Sequence, residues 1–177
     1  MNSIAVIGVG NILFCDDGAG VYAARYLETN YDFEPPIDII DGGMLGFNLM
    51  RYFSDYDQVI ILDTLSIDET AGTIYRLPSD ALLGLGDMRK TVHEVEVTQM
   101  IELASLMDVR ASISVLGIIP SDIETVAMDL SPIVKEHFGA FIQTLLGVLK
   151  EAGVSATQKD HATSLGAIVQ GSYRFIL

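Results

Sequence analysis

Ile4-Ala5-Val6-Ile7-Gly8-Val9-Gly10-Asn11-Ile12-Leu13-Phe14-Cys15-Asp16-Asp17-Gly18-Ala19-Gly20 decides the fold of this chain. The β-branched run Ile4 to Ile7 reads as a strand buried on both faces, the pattern of a parallel sheet. Gly8 and Gly10 then stand where the first strand-to-helix turn of a dinucleotide-binding fold carries glycines. The third glycine of that fingerprint would fall at position 13, which is Leu13. Asp16 and Asp17 stand where the helix should begin, and two carboxylates repel a phosphate at a helix N-terminus. The loop therefore suits a positive ligand, and a metal cation is the natural candidate.

Outward from this stretch, short apolar runs alternate with helical patterns. A helix is expected from about Asp17 to Tyr31, with Val21, Ala24 and Leu27 on one face, ended by Pro35-Pro36. Ile37 to Asp41 reads as a second strand. Gly42-Gly43 turns the chain into a helix from about Leu45 to Phe53. Gln58 to Asp63 is a third strand, and Thr73 to Leu77 alternates as an edge strand would. Residues 78–90 read as loop with some helical turns. Thr91 and Glu94 form a capping-box pattern ahead of a helix with Val97, Met100, Ile101, Ala104 and Met107 at helical spacing. Ser112 to Ile119 is another buried strand, stopped by Pro120. Ser131-Pro132 caps a last long helix with Val134, Phe138, Phe141, Ile142, Leu145 and Leu149 on one side, stopped by Gly153.

This alternation predicts an α/β fold of three α/β/α layers around a mostly parallel twisted sheet of about five strands. Residues 1–153 read as one domain. Residues 154–177 are polar, then weakly strand-like from Ser172 to Leu177, which leaves open an ordered edge, a mobile tail or an appended remnant.

The bulk numbers exclude several function classes. A chain of 177 residues suits one domain. Its formal charge of −14, with only ten scattered Lys and Arg, offers no basic face for nucleic acid or anionic lipid. No apolar run reaches the length of a membrane span, and the N-terminus lacks the basic and apolar segments of a signal peptide. A single cysteine excludes an internal disulfide and fits a reducing compartment, so a cytoplasmic location is expected.

Ligands of open α/β sheets sit outside the carboxyl ends of the strands. Asp17 follows strand one, Asp41-Gly42-Gly43 ends strand two, Asp63 ends strand three and His93 starts a helix. These residues can converge on one crevice. An Asp/Asp/His set suits a borderline divalent metal and leaves coordination positions open. A first-turn histidine is disfavoured as imidazolium, and the neutral ring is the form that binds metal. Each residue also has a plainer use. Asp63, Asp16 or Asp17 can cap the following helix, His93 can be a surface or hydrogen-bonded residue, and Gly42-Gly43 can serve only a tight turn. Met100 and Met107 read as core filler, and His137 and His161 as structural or solvent-facing. Cys15 could be a nucleophile activated by His93. Its acidic neighbours should raise the thiol pKa, so a packed, inert thiol is expected.

Taken in order, Gly8-Val9-Gly10-Asn11-Ile12-Leu13, Asp16-Asp17-Gly18-Ala19-Gly20-Val21, Asp41-Gly42-Gly43, Ile60-Ile61-Leu62-Asp63, His93 and Leu116-Gly117-Ile118-Ile119-Pro120 resemble the nickel–iron hydrogenase maturation endopeptidases over residues 3–153. The resemblance implies removal of a short C-terminal peptide from a hydrogenase large-subunit precursor after nickel insertion, with nickel in the precursor as the recognition element. It implies Asp17, Asp63 and His93 as the metal-binding and catalytic trio, Asp17 standing where some members carry Glu. It implies a substrate cleft shaped by Gly10, Asn11, Asp41, Gly42 and Gly43. Nickel would come with the precursor, and adventitious divalent ions could occupy the resting site. The free protein is expected to be a monomer. A nonenzymatic metal-binding chaperone for the precursor and a nucleotide-binding regulator remain alternatives at this stage.

Overall fold

The computed structural model describes residues 3–44, 46–78, 81, 92–107, 109 and 111–172, with 92–98 described as backbone. Five strands form the central sheet: β1 (Ile4–Val9), β3 (Asp38–Gly43), β4 (Gln58–Thr64), β5 (Ile74–Pro78) and β6 (Ser112–Ile118). Their order is β3-β1-β4-β6-β5. β1 runs parallel to β3 and β4, β4 runs parallel to β6, and β5 closes the far edge antiparallel to β6. The alternation of apolar strands and helical segments thus produces the expected three-layer α/β fold. β1 is buried at all six positions, which explains why it reads as a continuous apolar run rather than an alternating one.

Helices cover both faces. α1 (Ala19–Asn30), α4 (Pro132–Glu151) and α5 (Leu165–Ser172) pack on one, where Tyr22, Leu27, Phe138, Phe141 and Leu145 meet Val6, Ile60 and Leu116. α2 (Met50–Asp55) and α3 (Val92–Leu106) pack on the other, where Phe53, Met100 and Ile101 meet Ile7, Ile61 and Val115. α4 begins as its sequence predicts. Ser131 Oγ accepts the N–H of Val134 at 3.3 Å, and Pro132 occupies the first turn. Its apolar stripe is buried at all six predicted positions and at Val148. Each such burial is worth about 1.5–3 kcal/mol, so packing rather than intrinsic propensity holds this helix. Among the described residues no helix is long and apolar enough to cross a membrane.

Several local expectations are corrected. The first helix ends at Asn30, and Tyr31–Glu34 forms a strand, β2, paired antiparallel with β7 (Ser155–Gln158). That partner lies more than a hundred residues away, so local periodicity could not reveal it. The segment predicted as helix from Leu45 is a 3-10 turn, Gly46–Leu49, leading into the short α2. Met107 follows the end of α3 and is exposed rather than core. Beyond Gly153 the chain makes β7 and α5, and Ser172 ends a helix rather than starting a strand. Thr91 of the capping box, the side chain of Val97, residues 173–177 and all of 79–90 except Ala81 lie outside the described residues.

The topology fixes where a ligand can sit. β1 feeds α1 on one face and leads onward to β3 on one side of it. β4 lies on the other side of β1 and leads, through β5, to α3 on the opposite face. The connections diverge between β1 and β4, so the crevice of the sheet opens at the carboxyl ends of these two strands.

Candidate active site

The chain leaves β1 through Gly10, whose φ is 129°. A Cβ here would lie 1.9 Å from the backbone oxygen of Asp17, so only glycine fits both the dihedral and the space. Gly10 N–H donates to Gly43 O at 3.0 Å, joining this loop to the end of β3. Gly43 itself has φ 45° and pairs with Val9 across an irregularity in the ladder. A Cβ on Gly20 would lie 2.2 Å from Leu62 O and 2.5 Å from Val9 O. The first turn of α1 therefore rests directly on the ends of β1 and β4.

Cys15–Gly18 form a 3-10 turn ahead of α1 that packs against β4. Neither Asp16 nor Asp17 caps a helix of its own: no side-chain hydrogen bond caps this turn or α1. Asp17 is 5% exposed, and its Oδ2 accepts the N–H of Asn11 at 3.0 Å. Asn11 Oδ1 accepts the N–H of Leu13 at 3.0 Å, which locks the loop around the carboxylate. Asp63 is 2% exposed at the penultimate position of β4, and its Oδ1 accepts the N–H of Thr64 at 2.7 Å. Among the described residues the chain after Asp63 runs on to β5 rather than directly into a helix. Burying carboxylates is costly unless partners compensate, yet Asp63 is buried at the end of β4 and Asp17 in the turn between β1 and α1 that packs against β4.

His93 is the second residue of α3. That helix runs back to the start of β6, so its first turn lies toward the same carboxyl edge; the imidazole lies outside the described residues. Among the described residues no three His, Cys, Asp or Glu side chains gather as a metal site. The two predicted oxygen donors come to one edge, and the predicted nitrogen donor lies on a helix that starts toward it.

The remaining predicted residues serve several ends. Asp41 forms an ion pair with Arg25 at 2.6 Å and is 40% exposed at its side chain. A Cβ on Gly42 would press on Ile7 at 2.8 Å, so the double glycine serves both the turn and the close approach to β1. Cys15 is buried with φ 43°, and burial raises its thiol pKa, reinforced by the charges of Asp16, Asp122 and Asp129. The thiolate is disfavoured, which argues against a cysteine nucleophile. His137 Nδ1 lies 2.9 Å from Ile133 O in α4, and His161 is exposed, in keeping with their structural and solvent-facing readings.

Two features escaped the sequence. Asp16 is fully buried and accepts three backbone N–H groups, from Ser121 at 2.8 Å, Asp122 at 3.0 Å and Ser131 at 2.7 Å. It pins the connection between β6 and α4 to the turn that carries Asp17. Beside that connection opens a cleft of about 390 Å³, lined by Ser66, Asp68, Glu69, Pro120, Asp122 and Glu124. Asp122 accepts from the backbone N–H groups of Glu124 and Thr125, and bonds to Thr125 keep its carboxyl below the usual range. Pro120-Ser121-Asp122 was a readable turn signal. Its junction with Asp16 was not.

A family model described as hydrogenase maturation protease matches residues 21–148. The hydrogenase 2 maturation protease of Escherichia coli K12 is 28% identical over 159 residues, covering 89% of this chain and 96% of that protein. The hydrogenase expression/formation protein HupD of Rhizobium leguminosarum is 25% identical over 174 residues, covering 97% and 86%. Among solved structures, the hydrogenase maturating endopeptidase HybD of E. coli superposes with a TM-score of 0.81 at 27% identity, covering 89% of this chain and 98% of that one.

Proposed function

The chain belongs to the hydrogenase maturation protease family and is an endopeptidase of that kind, and from that premise we propose how its site acts. The protein removes the C-terminal peptide of a hydrogenase large-subunit precursor that already carries nickel. Asp17, Asp63 and His93 complete the coordination of that nickel, and so place the scissile bond. The observation that carries this reading is the burial of Asp63 at the end of β4 and of Asp17 in the turn between β1 and α1 that packs against β4, where the connections of the sheet diverge.

Nickel is part of the substrate in this reading. Two carboxylates and a neutral imidazole form a donor set suited to a borderline divalent ion. Such an ion can polarise a carbonyl or activate water. The chain's own contribution is positional. Asn11 N–H fixes one oxygen of Asp17, Thr64 N–H fixes one oxygen of Asp63, and the Gly10–Gly43 contact sets the rim. The precursor would enter along the loop after β1, which holds Gly10 and Asn11, and the carboxyl end of β3, which holds Asp41, Gly42 and Gly43. The cytoplasm, where such a precursor would be assembled, is the compartment this reading expects.

The test is a mass shift of nickel-loaded precursor on incubation with the protein. Asp17→Asn, Asp63→Asn and His93→Ala should each slow the shift by about 100-fold or more, the scale on which loss of one preorganised electrostatic partner is felt. Binding of the precursor without a shift, or full processing by all three variants, sinks the proposal.

A further inference from the structure

Arg25, in the second turn of α1, joins two elements that the sequence does not connect. Its Nε donates to Asp41 Oδ2 at 2.7 Å, and its Nη2 reaches the same oxygen at 2.6 Å. Its Nη1 donates to Ser172 Oγ at 2.5 Å, across 147 residues of sequence. Ser172 is buried in the last turn of α5, and its hydroxyl donates to Ile168 O at 3.0 Å. These contacts form a strut from the C-terminal helix, through α1, to the carboxyl end of β3.

The strut leaves one acceptor over. Both guanidinium contacts fall on Asp41 Oδ2, and among the described residues no donor reaches Oδ1. That oxygen lies 3.7 Å from the place of a Cβ on Gly43, the residue whose carbonyl accepts the N–H of Gly10. Asn11, next along, holds Asp17. Arg25, Asp41 and Ser172 also line a cavity of about 560 Å³, so polar contacts rather than close packing hold the arginine. A pair with side chains 24% and 40% exposed adds little to stability. What it does supply is a fixed direction for an otherwise mobile carboxylate.

We propose that Arg25, braced by Ser172, is a positioning residue that holds Asp41 so that Oδ1 accepts an N–H donor of the precursor at the rim of the site. This rests on the precursor-processing reading above and assigns α5 a part in it. An unbraced Asp41 samples several rotamers, and ordering it then falls on the binding step, which raises KM rather than lowering kcat.

Steady-state processing by the full-length protein tests this with Arg25→Met, Asp41→Asn, the double variant, Arg25→Lys and Ser172→Ala. Arg25→Met should raise KM about five- to tenfold with kcat within about twofold. Ser172→Ala should show a smaller rise, and Arg25→Lys should recover part of the loss. Because Arg25 acts through Asp41, the double variant should be no worse than Asp41→Asn alone. A fall in kcat with KM unchanged, or a double variant whose defect is the product of the single ones, overturns the inference. Wild-type processing with an unchanged KM in Arg25→Met defeats the strut alone. Absence of wild-type processing defeats the processing reading and this inference with it.

Discussion

Asp16 Oδ1 accepts the backbone N–H of Ser131 at 2.7 Å, joining residues 115 apart in sequence. The same carboxylate holds Ser121 and Asp122, and Asp17 beside it accepts the N–H of Asn11. One of the two adjacent acids thus ties the turn to a connection more than a hundred residues away. Asp16→Ala should cost about 3 kcal/mol or more in urea denaturation, because it strands buried N–H groups. Asp17→Asn keeps an oxygen for the Asn11 N–H and strands no donor there, so it should cost less stability than Asp16→Ala while slowing processing by about 100-fold or more. Equal stability losses in the two variants would refute this ordering.

Gly20 and Gly139 are both helical glycines with opposite expectations. The Gly20 Cβ meets the backbone of Val9 and Leu62, the two central strands, which cannot withdraw. Gly20→Ala should therefore lose about 3 kcal/mol or more. Gly139, exposed in α4, has nothing within 4 Å of its Cβ, and Gly139→Ala should gain about 0.5–1 kcal/mol. Denaturation midpoints of the two variants should move in opposite directions.

Cys15 should be a poor nucleophile. Burial and the charge of Asp16 both oppose its thiolate. At pH 8 a disulfide reagent should react with the native protein at least about tenfold more slowly than with the urea-unfolded chain. Cys15→Ser should process precursor at the wild-type rate, and loss of processing on that change would revive the cysteine mechanism.

Tyr56 O–H donates to Asp38 Oδ2 at 2.6 Å, and this bond, with burial and the Asp38 charge, pushes the phenol up to about 12 from the ordinary 10.0. The folded state holds this proton more tightly than the unfolded chain does. Its contribution to stability is therefore present below pH 10 and is lost as pH rises past about 12. An ultraviolet titration should lose a late-ionising phenol near pH 12 in Tyr56→Phe, and the variant should lose stability less steeply over that window. An unchanged late step in Tyr56→Phe would assign it to another tyrosine.

The central strands were legible because burial on both faces leaves a continuous apolar run, as in Ile4 to Val9 and Val59 to Leu62. α4 was legible from its stripe and its Ser131-Pro132 start. β2 and β7 were not. Each has four residues, β7 is exposed throughout, and the ladder exists only because Tyr31 meets Gln158. Met107 continued the periodic stripe of α3 but lies past its end, where the helix no longer faces the core.

From residue order alone came the layered sheet and the edge where its crevice opens, because these depend on local pattern and on the handful of ways strands and helices alternate. Tertiary structure alone decided that Asp16 is a structural anchor rather than a cap. It also decided that β4, which carries Asp63, leads on to β5 rather than directly into a helix, and that Arg25 ties Asp41 to Ser172. A carboxylate's role is set by which donors reach it. Here those donors sit up to 115 residues away, at separations that no periodicity along the chain encodes.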